Sequence, residues 1–175
     1  MIGAQAGVRP DARAREVHIL RRRSPGRATA LSVLVVYFDA SALVKLVIDE
    51  DGSDIAAELW DSCDAALSSR LAYPEVRAAL AAAERGGLIT SRDGRRAARE
   101  WQEFWAGIRP VELSSEVEQR AGELASALAL RGADAVHLAS ALALGITEVV
   151  VAAWDKRLHA AATASSLAVA PARLD

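Results

Sequence analysis

Four acidic residues occupy positions from which carboxylates could act together. Asp39 and Asp155 each follow an apolar run, whereas Glu75 and Asp134 lie in the first turns of predicted helices. In an open α/β sheet, such positions can bring all four side chains to one edge. Carboxylates held close together repel one another, which raises their pKa values unless a cation compensates. Oxygen ligands suit Mg²⁺ or Mn²⁺, which could activate a water for attack on a phosphodiester.

A simpler interpretation exists for each acid taken singly. A carboxylate at the start of a helix is stabilised by the free N–H groups and by the helix dipole. Four of them in apolar surroundings favour a metal site instead. Ser41 leaves two possibilities open, because it could cap the helix after Asp39 or hydrogen-bond a water or phosphate at the cation.

The elements that would position these residues alternate along the chain. The apolar run 34–38 predicts a buried parallel strand, and Ala42, Leu43, Leu46 and Val47 predict a helix directly after it. Four further short strands are predicted at 65–69, 110–113, 148–153 and 167–170, with helices between them. This alternation is typical of an α/β fold with a central parallel sheet.

Helix boundaries are predicted from local signals. Ser53 or Asp54 should cap the second helix, Pro74 should lie in the first turn of the third, and Gly132 should follow the end of the fifth. One longer helix, at about 91–108, carries an apolar stripe of Trp101, Phe104, Trp105 and Ile108. Core packing is the preferred interpretation of this stripe, and a groove for a partner's helix is the alternative.

Composition and charge divide the chain into two parts. Residues 1–32 carry seven arginines against two acids, net +5, which leaves −7 for the remainder of a chain whose total is −2. We predict a flexible basic extension at 1–32, either inert or binding nucleic acid, and a single domain at 33–175. No run reaches the roughly 18 apolar residues of a membrane span, and the single cysteine fits a reducing, cytoplasmic location.

Other chemistries lack their signatures. An Asp-x-Asp phosphatase would need an acid where Ser41 stands, and neither a glycine-rich nucleotide loop nor a Gly-x-Ser-x-Gly elbow occurs. His137 and His159 have no second histidine at ligand spacing. His137 lies one turn after Asp134 and could approach the site, but packing between helices is the preferred interpretation. Lys45 is expected to be a solvated charge.

The ordered motifs resemble those of a known family. They are YFDASALVKL at 37–46, PEVRAAL at 74–80, ADAVHLASAL at 133–142 and WDKRL at 154–158. In this order and spacing, over about residues 34–172, the sequence resembles PIN-domain ribonucleases, and among them VapC-like toxins of type II toxin–antitoxin pairs.

The resemblance carries specific expectations. It implies a three-layer α/β/α fold and a Mg²⁺-dependent endoribonuclease, with Mn²⁺ as a substitute, that hydrolyses RNA. It implies a homodimer and a cognate VapB-like antitoxin whose C-terminal segment blocks the acidic pocket. The family's acidic residues match Asp39, Glu75, Asp134 and Asp155.

One departure keeps alternatives open. The family often has Thr or Ser two residues before its last acid, where this chain has Ala153. The alternative function is therefore a catalytically silent PIN-like module that holds a partner's Arg or Lys in its acidic pocket. A nuclease acting on DNA is a third possibility. Lys156 and Arg157 could contact the RNA backbone or form a solvated helix face.

Overall fold

Five short strands form one parallel sheet in the part of the chain that the computed structural model describes, residues 33–146 and 148–174. The strands are β1 (Val35–Phe38), β2 (Ala65–Ser69), β3 (Arg109–Val111), β4 (Val149–Ala152) and β5 (Ala168–Ala170). Their order across the sheet is β3-β2-β1-β4-β5, and every neighbouring pair runs parallel. β1 is central, and all four of its residues are buried.

Seven helices cover the two faces of this sheet in the described ranges. They are α1 (Ala40–Val47), α2 (Ser53–Ser62), α3 (Ala72–Arg85), α4 (Ser91–Gly107), α5 (Ser115–Leu128), α6 (Gly132–Ala143) and α7 (Lys156–Ala164). Side chains alternate between faces along a strand. Val36 and Phe38 therefore pack with residues of α1 to α4, and Val35 and Tyr37 with residues of α5 to α7. The predicted three-layer α/β/α architecture is confirmed.

The direction in which the chain adds strands reverses beside β1. The chain builds β1, β2 and β3 toward one edge, and then adds β4 and β5 on the other side of β1. In open α/β sheets, ligand sites lie outside the carboxyl ends of the strands at such a switch point. Here that point is where Phe38 of β1 pairs with Ala152 of β4.

The strand predictions agree with the structure to within two residues. The aromatic stripe of α4 is also confirmed as core. Trp101 is fully buried, Ile108 is buried, and Phe104 and Trp105 pack against the same cluster. No helix in the described ranges is long and apolar enough to cross a bilayer.

Two helix boundaries differ from the predictions. Neither Ser53 nor Asp54 caps α2, because Gly52 takes the N-cap position with φ of 82°, in the left-handed region that favours glycine. The Ser53 hydroxyl instead donates to the Ile48 carbonyl and accepts from the Glu50 amide. The fifth helix ends at Leu128, with Ala129 in a left-handed conformation, so that Gly132 begins α6.

The predicted solvation of Lys45 is wrong. Lys45 is only 7% exposed, and its Nζ donates to Glu50 Oε1 at 2.8 Å and to the Asp51 carbonyl at 2.7 Å. The ammonium group also lies 5.3 Å from the centre of the Trp154 ring. The predicted basic extension, residues 1–32, lies outside the described residues, and its boundary with the domain at 33–175 stays a prediction.

We expect the Trp101→Ala variant to lose about 3–5 kcal/mol of unfolding free energy, because it leaves a cavity in the core. Trp101 is fully buried and contacts the rings of Tyr73 and Trp105. Urea unfolding followed by circular dichroism measures the change. The control is Leu88→Ala, at a side chain that is 62% exposed, which should stay within about 0.5 kcal/mol of wild type. Equal losses in the two variants would contradict the assigned core.

Candidate active site

Asp39 lies at the switch point, directly after the central strand. It is the N-cap of α1, and its Oδ1 accepts from the Ala42 amide at 2.8 Å. Its own amide donates to the Ala152 carbonyl at 3.0 Å, which ties it to the end of β4. Asp39 is only 4% exposed. Burial raises the pKa of its carboxyl, and His137, Ser41 and the neighbouring amides partly offset this effect.

Ser41 connects two strand ends. Its Oγ lies 2.7 Å from Asp39 Oδ1 and 2.8 Å from Oδ2, and it accepts from the Trp154 amide at 2.8 Å. A hydroxyl has one proton, which goes to the carboxylate here because the amide can only donate. The capping interpretation of Ser41 is wrong, because Asp39 is the cap. Ser41 instead orients the Asp39 carboxylate against the segment that follows β4.

Glu75 belongs to a hydrogen-bonded chain that reaches into the core. Its Oε2 lies 2.8 Å from Nε2 of His137, and Nδ1 of His137 lies 2.9 Å from the Tyr37 hydroxyl. The Ser69 amide donates to that hydroxyl at 3.1 Å. A carboxylate only accepts, so the Nε2–H of His137 donates to Glu75. Every ring nitrogen and hydroxyl in this chain is therefore satisfied.

Burial holds this series of hydrogen-bonded side chains in place. Tyr37 is fully buried and His137 nearly so, whereas the Glu75 side chain is partly exposed. Burial raises the pKa of the Tyr37 phenol far above its usual value, an effect that Ser140 and the Ser69 amide only partly offset. The phenol is therefore neutral, and its hydrogen bond holds the imidazole in one orientation.

Asp134 lies in the first turn of α6, one turn before His137. Its Oδ2 atom is buried and has no hydrogen-bond partner among the residues that the structure describes. Burial and the nearby Asp155 charge raise the pKa of the Asp134 carboxyl, and the Arg131 amide and charge and the His137 ring oppose them. This oxygen therefore lacks the partner that a buried polar atom normally has.

Asp155 lies three residues after β4 and is the N-cap of α7. Its Oδ1 accepts from the amides of Arg157 and Leu158, at 2.9 Å and 3.0 Å. The helix-start interpretation is thus confirmed for Asp155, as it is for Asp39. Ala153, where the family often has a hydroxyl, is fully buried.

The described contacts link the site residues in pairs: Glu75 contacts His137, and the charge of Asp155 acts on Asp134. Within residues 33–146 and 148–174, no group of three or more His, Cys, Asp and Glu side chains is arranged to hold an ion. Mg²⁺ usually keeps several waters and takes only one or two carboxylates together with substrate phosphates. The donor set, all carboxylate and with one buried unpaired oxygen, fits a hydrated Mg²⁺ of that kind.

The sequence reasoning missed how His137 and Tyr37 take part. His137 does not merely pack between helices, since it joins Glu75 to the core and lowers the pKa values of Asp39 and Asp134. Its spacing from Asp134, three residues along one helix, places both on one face and indicated only that His137 could approach the site. For Tyr37, the available signal was a tyrosine in an apolar strand, because a buried hydroxyl needs a partner.

Comparisons with known proteins agree with this geometry. The PIN domain family matches residues 36–164. Ribonuclease VapC45 of Mycobacterium tuberculosis (strain CDC 1551 / Oshkosh) is 64% identical over 141 residues, which cover 81% of this chain and 98% of the relative.

Two solved structures share the fold. The M. tuberculosis toxin VapC20, described as cleaving the sarcin–ricin loop, has a TM-score of 0.56 and 21% identity over 72% of this chain and 94% of its own. VapBC2 from Rickettsia felis, bound to a DNA fragment from its promoter, has a TM-score of 0.55 and 12% identity over 78% and 97%. The chain therefore belongs to the PIN-domain family, and within it to the VapC ribonucleases, the toxins of toxin–antitoxin systems.

Proposed function

We propose that this VapC ribonuclease hydrolyses RNA phosphodiester bonds with Mg²⁺, for which Mn²⁺ can substitute, and that four carboxylates together hold one or two hydrated ions. These carboxylates are Asp39, Glu75, Asp134 and Asp155. The main support is the buried, unpaired Oδ2 of Asp134, whose carboxyl has a pKa raised by burial and by Asp155. A cation would supply the missing partner and remove the repulsion.

The residues around the acids have separate tasks in this proposal. A bound Mg²⁺ would make a water more acidic and neutralise charge on the scissile phosphate. Ser41 and the Ala42 amide hold the Asp39 carboxylate in one orientation, and His137 does the same for Glu75. Lys156 and Arg157, both exposed at the start of α7, are placed beside Asp155 to contact the RNA backbone.

The partner in this proposal is a VapB-like antitoxin whose basic segment enters the acidic pocket. The supporting observations are the acidic balance of residues 33–175 and the relative that was crystallised as VapBC2. A homodimer and a cytoplasmic location complete the proposal on the strength of the family. A silent module that holds a basic segment in the same pocket is the second candidate, and Ala153 is the observation that favours it.

We expect Asp39→Asn to weaken Mn²⁺ binding and to slow RNA cleavage by more than about 100-fold. Changing a residue that only supports a metal ligand costs about 10–100-fold, and removing a ligand's charge should cost more. Calorimetric Mn²⁺ titration and cleavage at matched Mg²⁺ measure the two effects in antitoxin-free protein. The control Asp61→Asn removes the same charge at an exposed position of α2. Wild-type cleavage by Asp39→Asn would contradict the mechanism, and no Mn²⁺ binding by any of the three proteins would favour the silent module.

In the absence of metal, we expect the same Asp39→Asn variant to melt a few degrees above wild type at neutral pH. An amide oxygen still accepts from the Ala42 amide, whereas the buried charge, whose desolvation raises the pKa of Asp39, is gone. Asp39→Ala also loses the cap and should melt below Asp39→Asn. Thermal unfolding in chelator compares the three proteins. A lower melting temperature for Asp39→Asn than for wild type would show that the charge stabilises the metal-free fold.

Two substitutions of His137 separate its two hydrogen bonds. Gln places its amide nitrogen near the position of Nε2 and can still donate to Glu75, whereas the shorter Asn reaches only the side of Nδ1. We expect His137→Asn to lower Mn²⁺ affinity by about 10–100-fold and His137→Gln to keep most of it. Calorimetry measures both affinities. Equal losses would mean that His137 acts through packing and not by positioning Glu75.

A further inference from the structure

A pocket of about 360 Å³ borders the segment that carries Asp155, and its lining includes Lys156, which is proposed above to contact the RNA backbone. Its apolar wall comes from Trp154, Ile55, Pro171 and Leu174. The remaining lining residues are two cations, one acid and one glycine: Lys156, Arg173, Asp51 and Gly52. Trp154 and Lys156 flank Asp155 in the sequence. The backbone of Asp155 therefore runs along the edge of the pocket.

The Trp154 indole is held on several sides. Its backbone amide donates to Ser41 Oγ at 2.8 Å, and the Lys45 ammonium lies 5.3 Å from its ring centre. Lys45 is fixed in turn by Glu50 and by the Asp51 carbonyl. A Cβ on Gly52 would lie 2.5 Å from the indole Nε1, so only glycine allows the ring this close to the backbone. The ring, which is partly buried against the core and lies under Lys45, is thus fixed in place where it lines the pocket.

We propose that this pocket binds one unpaired nucleobase of the RNA, next to the phosphate that is cleaved. Single-stranded RNA is recognised by stacking of bases on aromatic rings beside cationic groups that contact the backbone. Trp154 supplies the ring, and Lys156 and Arg173 supply the charges. The pocket lies within the range of volumes of small-molecule sites and is large enough for a base. This inference rests on the proposed RNA cleavage and adds a place where the sequence of the substrate can be read.

The test measures RNA binding without cleavage. It uses full-length protein carrying Asp39→Asn, in chelator, and short single-stranded RNA homopolymers, with an abasic ribose-phosphate oligomer of equal length as the probe that lacks bases. Stacking should quench tryptophan emission with at least one homopolymer and not with the abasic oligomer. Added Trp154→Leu should weaken binding of that homopolymer by about tenfold. Trp105→Phe, a change of another partly buried tryptophan that lies outside the pocket, should keep both the affinity and the quenching.

A second variant tests the pocket without changing Trp154, in case Trp154→Leu does not fold. Ile55 is 38% exposed on α2, so Ile55→Glu should fold and should obstruct the pocket with a negative charge. It should weaken binding as much as Trp154→Leu does. Leu88→Glu makes the same charge change outside the pocket and should have little effect.

The outcomes distinguish this inference from the proposed function. The base pocket would be overturned if Trp154→Leu and Ile55→Glu both left the affinity unchanged. It would also be overturned if probes without bases, the abasic oligomer or a polyglutamate peptide, quenched tryptophan emission equally. Either result would count even if wild-type protein cleaves RNA. Base-dependent quenching that is lost in the pocket variants would support the pocket even if Asp39→Asn leaves cleavage intact, in which case the proposed mechanism would fail alone.

Discussion

The structure depends on one buried carboxylate at the end of its central strand. Burial of Asp39 disfavours the charged form of its carboxyl. A helix N-terminus, a serine hydroxyl and an imidazole stabilise that charge. These groups offset the cost only in part, since the pKa of Asp39 stays raised. A buried carboxylate whose charge is only partly offset lowers the stability of the metal-free protein and favours binding of a cation.

Both faces of the sheet contribute to this arrangement. Because side chains alternate along β1, Phe38 packs on the layer of α1 to α4, and Tyr37 points into the layer of α5 to α7. Tyr37 reaches His137 there, and His137 reaches back to Glu75 at the start of α3. The carboxylates on different elements are thus related through rigid core contacts, which set their positions more closely than loops would.

Much of this could be predicted from the sequence, because periodicity marks the strands and each acid stands at a strand end or a helix start. Parallel strands then bring those ends to one edge, so Asp39 and Asp155 could be expected to meet. Lys45, His137 and Trp154 could not be assigned in this way. Their roles depend on partners distant in the chain, such as Glu75 for His137. They also depend on the left-handed backbone of Gly52, which is the N-cap of α2 where the sequence predicted Ser53 or Asp54.

The hydrogen bond from the Trp154 amide to Ser41 joins residues that are 113 positions apart. It closes the seam between β1 and β4, which Asp39, Asp155 and the pocket lined by Trp154 all adjoin. A chain still emerging from the ribosome lacks this seam until β4 has been made and has docked against β1. The surroundings of Asp39 are thus completed only after most of the domain has been synthesised.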